Sequence, residues 1–280
     1  MAEEKKQPVV YSLQTFNKTI TAPQTQRYLT DLLRERKGAF VSNLTALVAN
    51  NADLQSCEPL TVMFAALKAT GLNLPIEPSL GMAYVIPYKN NKRNITEAQF
   101  QIGYKGFQQL ALRTGQYRRI NTTDVRAGEL VSRNRLTGEI VFDFIGDDAE
   151  RLKTPVVGYV NYFVLLNGFE STFYMSKEEV EAHAQRYSQT YKSSYDYIKA
   201  KSKWTTDFDA MALKTVIKLN LSKNGVLSTE LQDAIRADQS IMRDDSGKYD
   251  YADHDSEIQY DEQRARAVAE KFSDFEEMKN

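Results

Sequence analysis

The feature that most constrains the fold of this 280-residue chain is a change of hydrophobic pattern between residues 82 and 115. Two runs rich in β-forming residues, MAYVIPY (82–88) and AQFQIGY (98–104), flank the polar stretch KNNKRNITE. This arrangement predicts a β-hairpin with a basic tip. Directly afterwards, Phe107, Leu110 and Ala111 repeat at helical spacing, and Gly115 stands where a helix C-cap glycine belongs. The sequence therefore predicts a strand–strand–helix unit.

Helical patterns precede this unit, and further strands follow it. Helical periodicity begins near Thr25 and continues to Gly71, with Pro59 suited to a first helical turn. Four more β-like runs lie between residues 118 and 175, and Asn167-Gly168 is typical of a tight hairpin turn. The expected fold class is α+β: an antiparallel hairpin and sheet core containing the ββα unit, flanked by packing helices.

Later helices and the chain ends complete the expected organisation. Ser176 with Glu179, and Thr206 with Asp209, match capping boxes that open two helices. We expect residues 1–24 to be a flexible N-terminus, 25–236 a single α+β core, and 237–280 an acidic, largely disordered tail. Within the tail, apolar residues at 4-3 spacing predict a short amphipathic helix that binds a partner.

Charge is divided into blocks, although the net charge is only −1. Residues 84–126 hold eight Lys/Arg and two acidic residues, and residues 184–223 hold eight Lys/Arg and three acidic residues. Residues 228–280 hold fifteen acidic residues and seven Lys/Arg. The chain thus combines a basic body with an acidic end, a pattern that favours a polyanionic partner.

Composition sets further limits. No apolar run approaches the ~18–20 residues of a membrane span, and the opening MAEEKKQP lacks the apolar segment of a secretory signal. We therefore expect a cytoplasmic protein. The single cysteine, Cys57, excludes an internal disulfide or a cysteine-rich zinc site.

The signatures of an enzyme are missing from the sequence. It contains no G-x-x-x-x-G-K-[ST], no G-x-G-x-x-G and no G-x-S-x-G motif, and its two histidines are far apart. Gly103 and Gly106 either approach a phosphate or simply turn a strand into a helix. The cluster Asp143, Asp147 and Asp148 leaves open a metal-dependent nuclease, but a solvated loop is the simpler interpretation. We therefore expect no catalytic residue, no metal and no cofactor.

Cations interleaved with aromatic residues are what the sequence does contain. They occur in two stretches, residues 84–126 and 186–204. Single-stranded nucleic acid is held by this combination, with cations on phosphates and aromatic rings against bases. The alternative is that the tyrosines belong to the core and the lysines to a solvated face.

Several long stretches of the chain resemble one family. They are LGMAYVIPYKNN, TEAQFQIGYKGFQQLALRTGQYRRINTTDVRAGE, VVGYVNYFVLLNGFE, MSKEEVEAHAQRYS and DFDAMALKTVIKLNLSKNG. In this order they resemble the RecT family of phage-type single-strand annealing recombinases, from about Thr25 to Leu227. The likeness is strongest at residues 99–116 and does not include the acidic tail.

The resemblance implies an ATP-independent protein that coats single-stranded DNA, forms rings or helical filaments, and pairs the bound strand with its complement. It also implies work beside a phage exonuclease and, for some members, contact with the host single-strand DNA-binding protein. The family offers no catalytic triad. The alternative function that the residues leave open is a coating protein that does not anneal.

Ten cations are expected to line one groove that holds a strand by its phosphates: Lys105, Arg113, Arg118, Arg119, Arg126, Lys199, Lys201, Lys203, Lys214 and Lys218. The predicted DNA contacts as a whole are basic and aromatic residues of the two stretches and of the helical pattern that follows the second stretch. They are Lys89, Lys92, Arg93, Tyr104, Lys105, Arg113, Arg118, Arg119, Arg126, Arg186, Lys199, Lys201, Lys203, Trp204, Lys214 and Lys218. Whether Tyr104, Tyr117 and Trp204 stack on bases or pack in the core is left open by the sequence.

Overall fold

The computed structural model describes residues 11–90, 93–188, 190–200, 202–246 and 248–250. In these ranges the helices are α1 Leu13–Thr21, α2 Pro23–Leu33, α3 Lys37–Ala49, α4 Ala52–Gln55, α5 Pro59–Gly71, α6 Tyr104–Arg113, α7 Asp148–Lys153, α8 Lys177–Tyr187, α9 Asp196–Lys199, α10 Lys203–Thr206, α11 Phe208–Asn224 and α12 Thr229–Ala237. The strands are β1 Ala83–Asn90, β2 Ile95–Ile102, β3 Tyr117–Arg126, β4 Leu130–Arg133, β5 Ile140–Phe142, β6 Val156–Leu165, β7 Glu170–Ser176 and β8 Ser240–Ile241. The expected α+β class is confirmed.

The predicted strand–strand–helix unit is present. Strands β1 and β2 pair antiparallel from Ala83 opposite Ile102 to Asn90 opposite Ile95, and α6 begins two residues after β2. Gly115 follows the end of α6 with a φ of +67°, a conformation that glycine adopts without strain. The alternating pattern of the strands divides the hairpin into two faces, an inner face on the core and an outer face.

The inner face of the hairpin packs on the N-terminal helices. Val85, Phe100 and Ile102 join one hydrophobic cluster with residues of α1, α3 and α5. Helix α5 contributes most to this cluster, since eight of its thirteen residues are buried. The outer face of the hairpin lines a groove that residues of α11 also line.

The segment that the sequence predicts as a flexible N-terminus contains a helix in the structure. The sequence predicts that residues 1–24 are flexible, but residues 13–21 form helix α1, whose N-cap Ser12 accepts a hydrogen bond from the Thr15 amide at 3.3 Å. Phe16 and Ile20 of this helix are 1% and 2% exposed. Two apolar residues four apart in a polar segment are enough to dock a short helix when a hydrophobic face receives them.

A second antiparallel sheet, in the order β3-β6-β7, forms the other half of the molecule. Helices α8 and α11 cover one face, on which Asn220 of α11 donates a hydrogen bond to the Asn161 side chain of β6 at 2.7 Å. The β4–β5 ribbon covers part of the opposite face through Phe142. The Asn167-Gly168 turn connects β6 and β7, and Gly168 has a φ of +86°.

Beyond the C-terminal boundary that the sequence predicts, the structure contains a further strand. The sequence predicts that the core ends at residue 236, but β8 adds a third strand to the hairpin sheet, with Gln99 opposite Ile241 and Phe100 opposite Ser240. Asp238, just before β8, is 1% exposed. In the sequence alone, Asp238 resembles a residue of a solvated acidic tail. Its buried position is explained by its ion pairs, which are described below. Residues 251–280 of the predicted tail lie outside the described residues.

The two predicted capping boxes have different outcomes. Ser176 and Glu179 form the complete reciprocal box at the start of α8. Helix α11 begins at Phe208, with the side chain of Asp207 accepting from the Ala210 amide, so the predicted Thr206 cap is wrong by one residue. Among the helices in the described ranges, none combines the length and apolar character needed to cross a membrane.

Candidate nucleic-acid interface

A groove of about 200 Å³ lies between the outer face of the hairpin and the helices around α11. Its floor is formed by the outward residues of β1 and β2, where Ile86 pairs with Gln99 and Gln101 lies two residues further along β2. Helices α8, α10 and α11 form the walls. Lysine, aromatic and hydroxyl side chains dominate these walls: Lys203, Lys214, Lys218, Tyr88, His183, Tyr187, Trp204, Ser188, Thr190, Ser202 and Thr215.

A buried carboxylate lies between two lysines at one side of this groove. Asp238 binds the ammonium of Lys214 at 2.8 Å and that of Lys218 at 2.9 Å. It also accepts a hydrogen bond from the Ile102 amide at 2.9 Å. Burial alone would raise the pKa of Asp238, but the two lysine charges outweigh this effect and lower the pKa to about 2. Burial in turn lowers the pKa of Lys214.

Lys214, one of the predicted phosphate contacts, is buried in the structure. Its residue surface is only 5% exposed, and its ammonium group is already paired. Helix α11 is buried on most of its circumference because α6 packs on one side and the second sheet on the other. Lys218 is also paired, but its side chain keeps 26% exposure.

The aromatic residues mostly pack against protein. Trp204 is 6% exposed, with ring centroids 5.6 Å from Phe208 and 6.4 Å from Tyr191. It still lines the groove. Tyr117 is a core residue, edge-on to Phe163 with its hydroxyl donating to the Val226 carbonyl at 3.2 Å. Tyr104 is half-buried against the first hydrophobic cluster.

Three predicted arginines have protein partners. Arg113 donates to the carbonyls of Leu72 and Asn73, both at 2.9 Å, and thereby fixes the turn after α5. Arg126 binds Asp124 at 2.8 Å. Arg93 pairs with the buried Glu97 and, at 3.2 Å, with Glu58. These contacts give each guanidinium a structural role.

The remaining described candidates present their charges at the surface. Lys89, Lys105, Arg118, Arg119, Arg186 and Lys203 are exposed and Lys199 is half-buried. Within the described ranges, none of these seven pairs with a carboxylate. The cation of Arg186 lies 5.1 Å from the ring centre of Tyr187, which lines the groove. Lys92 and Lys201 lie outside the described residues.

The structure therefore divides the predicted set instead of gathering it in one groove. Lys203, Trp204, Lys214 and Lys218 line the groove, while the other described candidates do not. Sequence reasoning missed Gln99 and Gln101, which form the polar floor. The sequence does contain a pattern that indicates them, because Gln99 and Gln101 alternate with Phe100 and Ile102. This alternation is typical of a strand with one apolar face and one polar face.

The glycine pair at the start of α6 has a packing role. A β-carbon at Gly103 would lie 2.2 Å from the Gly81 carbonyl oxygen, and one at Gly106 would lie 2.2 Å from that of Met82. These glycines let α6 pack directly on the chain that enters β1. Of the two interpretations left open by the sequence, the strand-to-helix turn accounts for both positions.

The carboxylates considered for a metal site are exposed, and Asp147 has another role. Its side chain accepts from the amides of Ala149 and Glu150 at 2.8 and 3.0 Å, as the N-cap of α7. Throughout the ranges that the structure describes, no group of three or more His, Cys, Asp or Glu side chains is arranged to hold a metal.

Comparison with known proteins agrees with the resemblance seen in the sequence. The RecT family model matches residues 38–253. The YqaK protein of Bacillus subtilis (strain 168) is 40% identical over 233 residues, which cover 83% of this chain and 75% of that protein. Protein RecT of Escherichia coli (strain K12) is 27% identical over 194 residues, covering 66% of this chain and 65% of that protein. The chain therefore belongs to the RecT family, whose members are single-strand annealing recombination proteins and not catalytic enzymes.

Proposed function

We propose that this protein binds single-stranded DNA without ATP, assembles on it, and anneals it to a complementary strand during phage-type recombination in the cytoplasm. The observation that carries the proposal is the groove on the outer face of the hairpin. Its walls combine the exposed Lys203 and the half-exposed Lys218 with the aromatic rings of Tyr187 and Trp204. Cations for phosphates beside aromatic surfaces are the combination that holds single strands.

Annealing requires that the bases stay available while the backbone is held. Exposed cations such as Lys105, Arg118 and Arg119, which have no carboxylate partner in the described ranges, are suited to phosphate contacts. Contacts to phosphate carry no sequence information and leave the Watson–Crick edges free. Neutralising phosphates on two strands also reduces the repulsion between them, and base pairing itself supplies the free energy.

Assembly of several subunits is part of the proposal. Large apolar side chains are exposed on the β4–β5 ribbon and on α7, where Val131, Leu136 and Leu152 are 61%, 95% and 71% exposed. Exposed apolar side chains of this size are available for contacts between proteins. We assign these side chains to contacts between neighbouring subunits on DNA. Partnership with a phage exonuclease, and of the tail with a host single-strand DNA-binding protein, follows as an expectation for a member of this family.

The test is annealing of complementary oligonucleotides, one with a fluorophore and one with a quencher, with and without the full chain. We expect the protein to accelerate pairing equally with and without ATP. A protein that binds one strand but does not accelerate pairing is a coating protein and contradicts the proposal. Loss of labelled oligonucleotide on addition of magnesium would instead indicate a nuclease.

A matched pair of variants locates the activity. Lys203→Glu reverses an exposed charge in the groove, whereas Lys223→Glu reverses an exposed charge near the end of α11, outside the groove. We expect Lys203→Glu to weaken binding and annealing and Lys223→Glu to have a much smaller effect.

Electron microscopy with no DNA, with one strand, and with two complementary strands tests whether ordered assemblies grow on DNA.

A further inference from the structure

The floor of the groove contains an amide group without a partner. Gln99 is 1% exposed, and its Oε1 accepts a hydrogen bond from Nε2 of Gln101 at 3.3 Å. Its own Nε2 is buried and has no hydrogen-bond partner among the residues that the structure describes. Buried polar groups in folded proteins are nearly always paired, so an unpaired donor beside a groove indicates a ligand or ordered water there.

The surroundings of this donor distinguish between possible ligands. The groove of about 200 Å³ is far larger than the roughly 10–15 Å³ of probe volume that one water requires. The donor is a neutral amide, and the carboxylate of Asp238 lines the same groove. We therefore expect a phosphate to bind the exposed, positively charged Lys203 and not the floor. The floor is better suited to an uncharged planar group with an acceptor atom, because the aromatic side chains Tyr88 and Trp204 line the same groove.

Resting on the proposed function, we infer that on DNA binding the Gln99 amide turns into the groove that this residue lines and donates a hydrogen bond from Nε2 to the minor-groove edge of one base of the bound single strand. All four bases carry an acceptor on that edge, N3 in the purines and O2 in the pyrimidines. A single amide donor can therefore contact any base. The contact is tolerant of sequence and leaves the Watson–Crick edge of that base free for the complementary strand.

With this contact the groove binds a base as well as the phosphates of the strand. Cations at the rim fix the backbone, and the amide at the floor sets the rotation of one base about its sugar, so that its pairing edge faces away from the floor. A strand held in this way presents its pairing edge to a second strand. Gln99 is suited to this role because β2 is fixed between β1 and β8, which holds the floor in place.

The first test uses the full chain and Gln99→Met, which removes the donor but keeps the length of the side chain. Binding is measured by fluorescence anisotropy with an oligonucleotide of thymidines and with an abasic oligomer of the same length. We expect Gln99→Met to bind the thymidine strand about tenfold more weakly, the value of one hydrogen bond, with unchanged salt dependence and unchanged binding to the abasic strand. Gln232→Met, on the exposed part of α12, is the matched control and should bind like the unaltered chain.

Each other outcome overturns the inference. Equal loss on both strands means that Gln99 contacts phosphate, and no loss on either strand means that its amide only holds water or packs. If the unaltered chain binds neither strand, the proposed function fails and the inference fails with it. Binding by the unaltered chain with no effect of Gln99→Met refutes the inference alone.

A second measurement does not depend on the folding of a variant. The unaltered chain is compared on a strand of deoxyadenosines and on a strand of 3-deazadeoxyadenosines, which lack the N3 acceptor but keep the Watson–Crick edge and the backbone. We expect weaker binding to the deaza strand, and this difference should disappear in Gln99→Met. Equal binding of both strands by the unaltered chain would exclude the contact.

Discussion

Asp238 and Lys214 form a buried ion pair, with 2.8 Å between the carboxylate Oδ1 and the ammonium Nζ, at the junction of the hairpin sheet and α11. The other carboxylate oxygen holds Lys218, and the Ile102 amide completes the set. This pair connects the segment after α12 to the groove. It explains why Lys214, one of the three predicted lysines that line the groove, is a structural residue and why the core extends past residue 237.

Replacing this carboxylate should weaken the fold. In Asp238→Asn two lysine charges lose their counter-charge in a buried site, and we expect the free energy of unfolding at pH 7 to fall by about 3 kcal/mol. Urea denaturation followed by circular dichroism measures the change. Asp244→Asn, an exposed aspartate of the same segment, should have the stability of the unaltered chain.

The same pair predicts a pH dependence. The pKa of Asp238 is lowered from its ordinary value of 3.8 to about 2, so its stabilising effect is complete above about pH 4 and is lost as the pH falls toward 2. The difference in unfolding free energy between the unaltered chain and Asp238→Asn should therefore be constant from pH 7 to 5 and shrink below pH 4. A difference that stays constant down to pH 2.5 would contradict the role given to this carboxylate.

The double substitution Arg118→Glu and Arg119→Glu tests the exposed cations of β3. We expect annealing at moderate salt to be strongly reduced, and the slope of log binding constant against log salt to become shallower by roughly one for each phosphate that the protein no longer neutralises. Arg27→Glu, on the exposed side of α2, is the matched control. Unchanged annealing by the double variant would remove these two arginines from the interface.

Arg113 allows a structural role to be separated from DNA binding. Because its guanidinium holds two carbonyls, Arg113→Ala should lower the free energy of unfolding by about 1–3 kcal/mol. The salt slope of DNA binding by the folded variant should stay the same. Arg113→Lys should recover only part of the stability, since a lysine cannot reproduce the planar fork. A shallower salt slope with full stability would instead place Arg113 on DNA.

Two truncations test where the folded core ends. Ending the chain after Ala237 removes Asp238, β8 and Arg243, whose guanidinium binds the buried Glu97 at 2.9 Å. This truncation should unfold at a clearly lower temperature than the full chain and lose annealing as a consequence. Ending it after Asp250 keeps these contacts and removes a segment with nine acidic residues and four Lys/Arg, so annealing should be retained or improved.

Equal thermal stability of the two truncated chains would show that the segment from 238 to 250 is not part of the core. Loss of annealing by the longer truncated chain, with its stability intact, would show that residues 251–280 are required for annealing.

The sequence by itself determined the local elements that depend on short-range chemistry. The period-2 runs on either side of the basic tip predicted the hairpin, the stripe of Phe107, Leu110 and Ala111 predicted α6, and Asn167-Gly168 predicted the turn between β6 and β7. Each rests on neighbouring residues and the backbone conformations that they favour. The order of the motifs also indicated the family, which the comparisons confirmed.

Only the tertiary structure decided which charges are available to a ligand. Arg113 and Lys214 have the same formal charge as Arg118 and Lys203, but carbonyls 40 residues away hold the first and a carboxylate beyond α12 holds the second. Such partners come from distant parts of the chain, and no local pattern announces them. Gln99 is the converse case, an uncharged residue that lines the groove and whose buried Nε2 has no hydrogen-bond partner among the described residues, which only the assembled fold reveals.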